Sequence, residues 1–325
     1  MENKTKKIIL SGVRPSARPH IGNYFGAMKQ FVDMQYDEAF KDADRYFMIA
    51  DLHTLDANKG EKMRQASMDV LLDYLAIGVD PKISHIFLQS YTSYHGELAM
   101  IFSYLTTVPY LMRGHLYKDA EAKGKEVIAG TFLYPVLMAA DILMYDATHV
   151  PVGIDNKQHL EIARDVARKF NKEYDTEYFK EPKEHIIEEV KLVPGLDGRK
   201  MSKSYGNHIP LFSTREDIEK LVKKIVTDSG ADIPENVYAI HKLVRDEKEL
   251  KDIYEENKGK YKVLKDLLVE DLDNFIKPFR EKRAELEADM DYVMKVFKEG
   301  NEAVAVLAEK KIKEVKGICG LGVRG

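Results

Sequence analysis

The residues best suited to chemistry lie in two loops rich in glycine, lysine and small polar side chains. The first loop, at positions 11–24, combines Gly22 with the side chains of His20 and Asn23. Glycine lets a ligand approach the backbone closely, and a helix that begins here offers unpaired N–H groups and the positive end of its dipole. This loop therefore predicts a phosphate-binding site, although His20 taken alone is more typical of an exposed loop.

The second loop, at positions 198–207, carries two lysines around a small polar turn. Lys200 and Lys203 flank Met201 and Ser202, and Ser204 follows directly. Two cations suit a polyphosphate because they stabilise the negative charge that grows on departing pyrophosphate, while the serine hydroxyls supply turn hydrogen bonds. A solvated linker is the alternative interpretation. The order of the two loops along one chain favours the phosphate site.

Short apolar runs that alternate with helical periodicity must position these loops. Four runs have the character of strands buried on both faces of a parallel sheet: Ile8–Leu10, Tyr46–Ala50, His85–Leu88 and His149–Val152. Helical spacing follows Gly22 and recurs at Met63–Ile77 and Asn156–Tyr174. The pattern predicts a doubly wound, Rossmann-like α/β domain with ligands at the carboxyl ends of its strands.

From about Thr214 the strand signals end and charge rises, which predicts an all-helical second half. The expected helices are 216–226, 237–250, 261–290 and 302–315. We expect breaks at Asp228–Gly230 and Glu299–Asn301, and a kink at Pro278. We therefore predict a catalytic domain at 1–207 and a helical domain at 208–325, with the last helix packing back on the first domain.

Composition limits the classes of protein that remain. The chain has 325 residues, of which 44% are hydrophobic, enough for a large and a smaller core. A single cysteine, Cys319, argues against a disulfide framework and a multi-cysteine metal site. We expect a cytoplasmic protein without a signal peptide, a membrane span or a metal centre. The net charge of −4 does not indicate a protein that coats nucleic acid.

Both loops resemble the signatures of the class I aminoacyl-tRNA synthetases. His20–Asn23 is similar to the first signature, with asparagine where many members have a second histidine, and Lys200–Ser204 matches the second. Further matches resemble the tryptophan and tyrosine enzymes, and specifically the tryptophanyl-tRNA synthetases: Gly22–Tyr24, Asp51–His53, Tyr134–Leu143, Pro151–His159 and Val226–Ser229. The chain departs from the tryptophan enzymes at Arg14, Ile154 and Asn156.

This resemblance implies a tryptophan–tRNA ligase that uses ATP and Mg²⁺. Such an enzyme forms tryptophanyl-adenylate and pyrophosphate, then transfers the amino acid to the terminal adenosine of tRNA(Trp). The implied catalytic residues are His20, Asn23, Lys200 and Lys203. The implied ATP-binding residues are Arg14, Gly22, Asn23, Gly153, Ile154, Asp155, Lys200, Met201, Ser202, Lys203 and Ser204. Asp155 is alternatively a helix cap, and Lys118, Lys123 and Lys125 are either triphosphate ligands or an exposed charged loop.

The implied L-tryptophan pocket consists of Leu10, Gly12, Ala50, His53, Tyr134, Met138 and Asp141. Asp141 lies in an otherwise apolar helix, where a carboxylate is costly unless it has a partner. Met138 precedes it by three residues, so the two side chains share a helix face. A carboxylate beside a hydrophobic side chain suits an indole, which has one N–H donor and a flat apolar face. His53 is alternatively a core histidine.

The sequence is also compatible with three competing functions, and the resemblance implies two interaction surfaces. A tyrosine–tRNA ligase, a small-molecule nucleotidyltransferase and a non-catalytic RNA-binding relative remain the competing functions. The resemblance also implies an anticodon-reading surface on the charged C-terminal helices. It implies a homodimer through positions 94–145, where apolar side chains cluster at Tyr104, Leu105, Tyr110, Leu111 and Met112.

Overall fold

A five-stranded parallel sheet forms the centre of the computed structural model, which describes residues 6–122, 124, 126–152, 157–186, 193–227 and 232–322. The strand order is β3-β2-β1-β4-β5. The strands are β1 (Ile8–Val13), β2 (Asp44–Ile49), β3 (His85–Leu88), β4 (His149–Val152) and β5 (Lys183–Ile186). The four predicted strands are confirmed. The fifth was missed because a polar edge strand lacks the apolar run of a central one.

Helices connect the strands and then fill the second half of the chain. Those before β5 are α1 (Ile21–Asn23), α2 (Lys29–Tyr36), α3 (Glu61–Ala76), α4 (Tyr94–Ser103), α5 (Val108–Leu111), α6 (His115–Ala122), α7 (Ala129–Met144) and α8 (Lys157–Glu173). Those after it are α9 (Arg215–Lys223), α10 (Glu235–His241), α11 (Glu247–Glu256), α12 (Tyr261–Ala288) and α13 (Met290–Ile318). A π-helical turn, Tyr24–Met28, joins α1 to α2.

Both faces of the sheet are covered, as the continuous apolar character of β2 predicts. Successive strand residues point to opposite faces. Phe47 and Ile49 therefore join the core that contains α3 and α12, whereas Tyr46 and Met48 join the core that contains α7 and α8. The structure thus has the predicted doubly wound arrangement.

The last helix covers an edge of the sheet, and the predicted break at Glu299–Asn301 is wrong. Gly300 lies inside α13, where an added Cβ atom would lie 2.1 Å from the carbonyl oxygen of Ile86 in β3. Asn301 accepts a hydrogen bond from the backbone N–H of Leu88 at 2.8 Å. Glycine is needed here for close helix–strand packing, and it does not end the helix.

The structure of the helical half differs from the predicted helix at 237–250 and extends one helix through Pro278. The predicted helix at 237–250 is two helices, because Asp246 caps the start of α11 through the N–H of Lys248. Helix α12 continues through Pro278. The expected break at Asp228–Gly230 lies outside the described residues, and the division of the chain at residue 207 stays a prediction. No helix among the described residues is long and apolar enough to cross a membrane.

Candidate active site

A cavity of about 180 Å³ opens at the carboxyl ends of β1 and β2. Strand β1, the end of β2, helix α7 and the short 3₁₀ turn Leu52–Thr54 all contribute to its wall. The structure brings all seven predicted tryptophan-pocket residues to this wall: Leu10, Gly12, Ala50, His53, Tyr134, Met138 and Asp141. Apart from a few polar groups the lining is apolar, which suits a flat hydrophobic ligand.

Asp141 is the most constrained polar group of this cavity, with a side chain only 2% exposed. Its Oδ2 accepts a hydrogen bond from His53 Nε2 at 2.8 Å. Its Oδ1 accepts from Gln89 Nε2 at 2.7 Å and from His95 Nδ1 at 2.8 Å. Burial alone would raise the pKa of Asp141, but the hydrogen bonds from His53 and His95 lower it below its usual value. Asp141 is therefore a carboxylate at neutral pH.

Each histidine donates one hydrogen bond to Asp141, because a carboxylate only accepts. His95 donates from Nδ1, and its Nε2 lies 2.8 Å from the hydroxyl oxygen of Tyr145. His53 donates from Nε2. Its Nδ1 is buried and has no hydrogen-bond partner within the described part of the chain. The His53 ring also lies 4.2 Å from that of Tyr134, measured between centroids.

Sequence reasoning missed Gln89 and His95. A signal for Gln89 existed, because it directly follows β3 and so lies at the carboxyl end of a parallel strand, where ligand-binding residues concentrate. His95 lies in the first turn of α4, and its position relative to Asp141 depends on the packing of α4 against α7. No local pattern in the sequence indicates that contact.

The first loop ends in a capped helix start at His20–Asn23. His20 Nδ1 accepts a hydrogen bond from the N–H of Asn23 at 3.3 Å, and Asn23 Oδ1 accepts from the N–H of His20 at 3.1 Å. An added Cβ atom at Gly22 would lie 2.8 Å from His20 Nδ1 and 3.3 Å from Met201 Cβ. Any larger residue at position 22 would therefore push the two loops apart.

His20 is uncharged at neutral pH. Burial lowers its pKa to about 4, with further lowering by the positive charge of Lys203 and by His208. Because Nδ1 accepts from Asn23, the single proton of the neutral ring is on Nε2. His20 therefore offers one N–H donor to a ligand at this loop.

Asn207 organises the second loop. Its Oδ1 accepts from the N–H of Ser202 at 2.8 Å, and its Nδ2 donates to the carbonyl oxygen of Lys200 at 3.1 Å. Ser202 and Ser204 form a hydroxyl–hydroxyl contact of 2.8 Å. Lys203 Nζ donates to the carbonyl oxygen of Ala17 at 2.9 Å, which joins the second loop to the first. The two loops therefore meet at Lys203 and at Met201.

The remaining predicted ATP residues fall in different places. Arg14 lines the amino-acid cavity and pairs with Asp56 at 2.7 Å. Lys200 and Lys118 are exposed. Gly153, Ile154, Asp155, Lys123 and Lys125 lie outside the described residues.

The fold and both loops agree with a known enzyme family. The family described as tRNA synthetases class I (W and Y) matches residues 2–290. The chain belongs to this family. Among its relatives, a protein of Fusobacterium nucleatum named tryptophan–tRNA ligase is 46% identical over 321 residues, which cover 96% of this chain and 97% of that protein.

Solved structures of class I synthetases resemble the chain over most of its length. The tryptophanyl-tRNA synthetase of Campylobacter jejuni, complexed with ADP and tryptophan, has a TM-score of 0.87 at 39% identity and covers 97% of this chain and 100% of its own. The tyrosyl-tRNA synthetase of Archaeoglobus fulgidus has a TM-score of 0.66 at 19% identity, covering 87% of this chain and 91% of its own, and shows the shared fold alone.

The variant signature of this synthetase has a physical role of its own. Asn23 stands where many class I enzymes have a second histidine, and here its amide oxygen completes the capping box with His20. Asparagine at this position therefore stabilises the start of the helix.

Proposed function

We propose that the chain is a tryptophan–tRNA ligase that activates L-tryptophan with ATP and transfers it to tRNA(Trp). The observation that carries this proposal is the ionised carboxylate of Asp141 in a mostly apolar cavity of about 180 Å³ at the carboxyl ends of the parallel strands. The family of the chain supplies the reaction type. The names of the similar proteins support tryptophan over tyrosine.

In the first step the carboxylate of tryptophan attacks the α-phosphate of ATP. An oxygen–phosphorus bond forms, the bond between the α-phosphate and the bridging oxygen breaks, and pyrophosphate leaves. Protein groups need only position the reactants and stabilise the growing charge. We assign the departing phosphates to Lys200 and Lys203. We assign the nucleotide to the backbone N–H of Gly22, the side-chain amide of Asn23 and the Nε2 donor of His20.

Mg²⁺ belongs to this proposal as part of the substrate, chelated by the phosphates of ATP. Among the residues that the structure describes, no group of three His, Cys, Asp or Glu side chains is arranged to hold a metal ion. The lysines of the second loop would share the neutralisation of the phosphates with the metal.

The amino-acid pocket gives a physical basis for selecting tryptophan. Oδ2 of Asp141 accepts one hydrogen bond from His53 and retains a lone pair that matches the indole N–H. Met138 packs in the same cavity and suits the flat hydrocarbon face. A tyrosine hydroxyl could also donate to Asp141, but Met138 beside that carboxylate offers its lone pairs no donor, at a cost in binding free energy.

Charging of tRNA tests the proposal through both reaction steps. An unmodified tRNA(Trp) transcript, ATP, Mg²⁺ and labelled tryptophan should give aminoacylated tRNA, and a tRNA(Tyr) transcript with labelled tyrosine should not. Efficient charging of tRNA(Tyr) with tyrosine would replace the proposal with the competing ligase. A protein that binds both transcripts and charges neither would be a non-catalytic relative.

We also propose that the enzyme is a homodimer that pairs through the region 94–145. Four large apolar side chains of this region are at least half exposed: Met100 (58%), Tyr104 (82%), Val108 (59%) and Ile128 (50%). Large apolar side chains left exposed within one segment favour an interaction surface there. Sedimentation should give twice the monomer mass at micromolar concentration, and Tyr104→Glu should shift the protein towards monomer. A monomeric wild type would refute this part.

A further inference from the structure

A buried carboxylate that the proposed chemistry does not use lies behind the second loop. Asp73, on α3, has a side chain only 1% exposed. Its Oδ1 accepts a hydrogen bond from Arg283 Nη1 on α12 at 2.5 Å and lies 3.5 Å from Arg18 Nη2. Its Oδ2 is buried and has no hydrogen-bond partner among the described residues. A buried carboxylate oxygen without a donor is costly and calls for an explanation.

The cluster around Asp73 joins four segments of the chain. Arg283 also contacts Asp69, one turn earlier on α3, through Nη2 at 2.6 Å. Phe212, which follows the second loop, has its ring 5.1 Å from the guanidinium carbon of Arg18 and 5.5 Å from that of Arg283. The first loop, α3, the segment after the second loop and the helical half therefore meet at this cluster.

Lys203 lies within electrostatic reach of the same cluster. Its ammonium group donates to the carbonyl oxygen of Ala17, the residue before Arg18. Burial lowers the pKa of Lys203, the negative charge of Asp73 opposes that effect, and the positive charge of Arg18 adds a smaller lowering. The carboxylate thus favours the charged form of the lysine and its position beside the first loop.

We infer that Asp73 is a positioning residue for Lys203, and that Arg283 couples the position of α12 to Lys203 through it. Arg283 fixes one oxygen of the carboxylate while the charge of the carboxylate attracts the lysine. Because Arg283 belongs to the helical half, a shift of α12 would change where Lys203 stands relative to ATP. The inference rests on the proposed role of Lys203 in the departure of pyrophosphate.

The same geometry predicts a dependence on pH. Burial raises the pKa of Asp73 to about 7, and Asp69 raises it further, against the lowering effects of Arg18, Arg283 and Lys203. These four side chains are the charged groups that face it. As the pH falls through about 7, Asp73 takes up a proton and its attraction for Lys203 is lost. The rate of tryptophan activation should fall with it.

A double-mutant cycle in ATP–pyrophosphate exchange tests the coupling directly. Asp73→Asn keeps the volume and removes the charge, so it should lower kcat about tenfold and change the KM for ATP less. In a Lys203→Ala background the same substitution should lower kcat less than about twofold, because its target is gone. Asp73→Asn should also remove the pH step near 7, which a purely structural role would not move.

Asp69→Asn is the matched control, because Asp69 contacts the same arginines and is absent from the charges that act on Lys203. Its effect on kcat should be equal in both backgrounds. If Asp73→Asn does not fold, Asp73→Glu and Asp73→Ala replace it. Asp73→Glu keeps the charge, so its kcat should be closer to the wild-type value than the kcat of Asp73→Ala. Equal effects of Asp73→Asn in both backgrounds would overturn this inference alone. An unchanged kcat for Lys203→Ala would instead overturn the proposed role of the lysine.

Discussion

The amino-acid pocket and the phosphate loop hold their polar groups in opposite ways. In the pocket, Asp141 is 2% exposed and receives hydrogen bonds from three side chains. In the loop, Lys200 and Ser204 are exposed, and the order comes from the single buried amide of Asn207. The difference agrees with the two ligands that we propose for these regions. A neutral indole offers one donor, so selection needs a fixed acceptor in a dry site, whereas a polyphosphate attracts cations over longer distances.

Because of this contrast, we expect substitutions in the two regions to change activity in different ways. Damage to the pocket should reduce the use of tryptophan and leave ATP binding nearly unchanged. Damage to the loop should slow activation and leave the preference for tryptophan intact. The following experiments test that separation, beginning with the largest effect.

Asp141→Ala should lower kcat/KM for tryptophan by about 10³-fold, because the site loses its acceptor for the indole N–H. The KM for ATP should change less than about threefold. The variant also strands the donors of His53, Gln89 and His95, so its free energy of unfolding should fall by about 3 kcal/mol. Steady-state pyrophosphate exchange and urea unfolding measure the two effects. Tyr145→Phe, which removes only the hydroxyl behind His95, should give a much smaller loss, and equal losses in both variants would contradict the assignment.

Lys200→Ala and Lys203→Ala should each lower kcat for tryptophan activation by about 10²-fold, since the charge they stabilise grows only as pyrophosphate departs. The ratio of kcat/KM for tryptophan to that for tyrosine should stay unchanged. Single-turnover measurements of adenylate formation separate this step from product release. Variants that raise only the KM for ATP would show that the lysines bind the ground state.

Gly300→Ala should destabilise the protein by about 2 kcal/mol, because the new methyl group would lie 2.1 Å from the carbonyl oxygen of Ile86 and push α13 away from β3. Strand β3 leads to Gln89, so the pocket should lose affinity for tryptophan before the loop is affected. Gly317→Ala is the matched control on the same helix: its added Cβ atom meets nothing within 4 Å, and we expect it to stabilise by about 0.5–1 kcal/mol. Urea unfolding compares the two, and equal stabilities would refute the close packing.

The smallest expected effect is the contribution of His20, in the first loop, to the stability of the protein at acidic pH. The pKa of His20 in the folded protein is about 4, below its unfolded value near 6.5, so the unfolded chain binds more protons between these pH values. Stability should therefore be lost as the pH falls from about 6.5 to 4. His20→Asn should reduce that loss by about 1–3 kcal/mol at pH 4. Thermal unfolding of both proteins against pH measures it, and parallel curves would show that His20 does not contribute.

Local patterns predicted the central strands, because each contains an apolar run, whereas the seven residues around the cavity were implied by the resemblance to the family. The sequence of α7 even predicted that Asp141 needs a partner. It did not indicate which partners, since Gln89 and His95 come from other elements and reach Asp141 only after α4, α7 and β3 pack together.

The errors have similar physical causes. A glycine such as Gly300 predicts a helix end when only its neighbours in sequence are considered. In the structure, glycine is needed at this position because the helix packs closely against Ile86, more than two hundred positions away in the sequence. The contacts of Arg283 with Asp69 and Asp73 are equally distant in sequence, so the cluster behind the second loop leaves no periodic trace.

ATP–pyrophosphate exchange with each of the twenty amino acids tests the central claim most directly. The wild type should exchange with tryptophan and show at most background exchange with the other nineteen. Lys203→Ala should lower the tryptophan signal without raising any other, whereas Asp141→Ala should lose the signal for tryptophan itself. Exchange with tyrosine as fast as with tryptophan, or unchanged tryptophan kinetics in Asp141→Ala, would contradict the account.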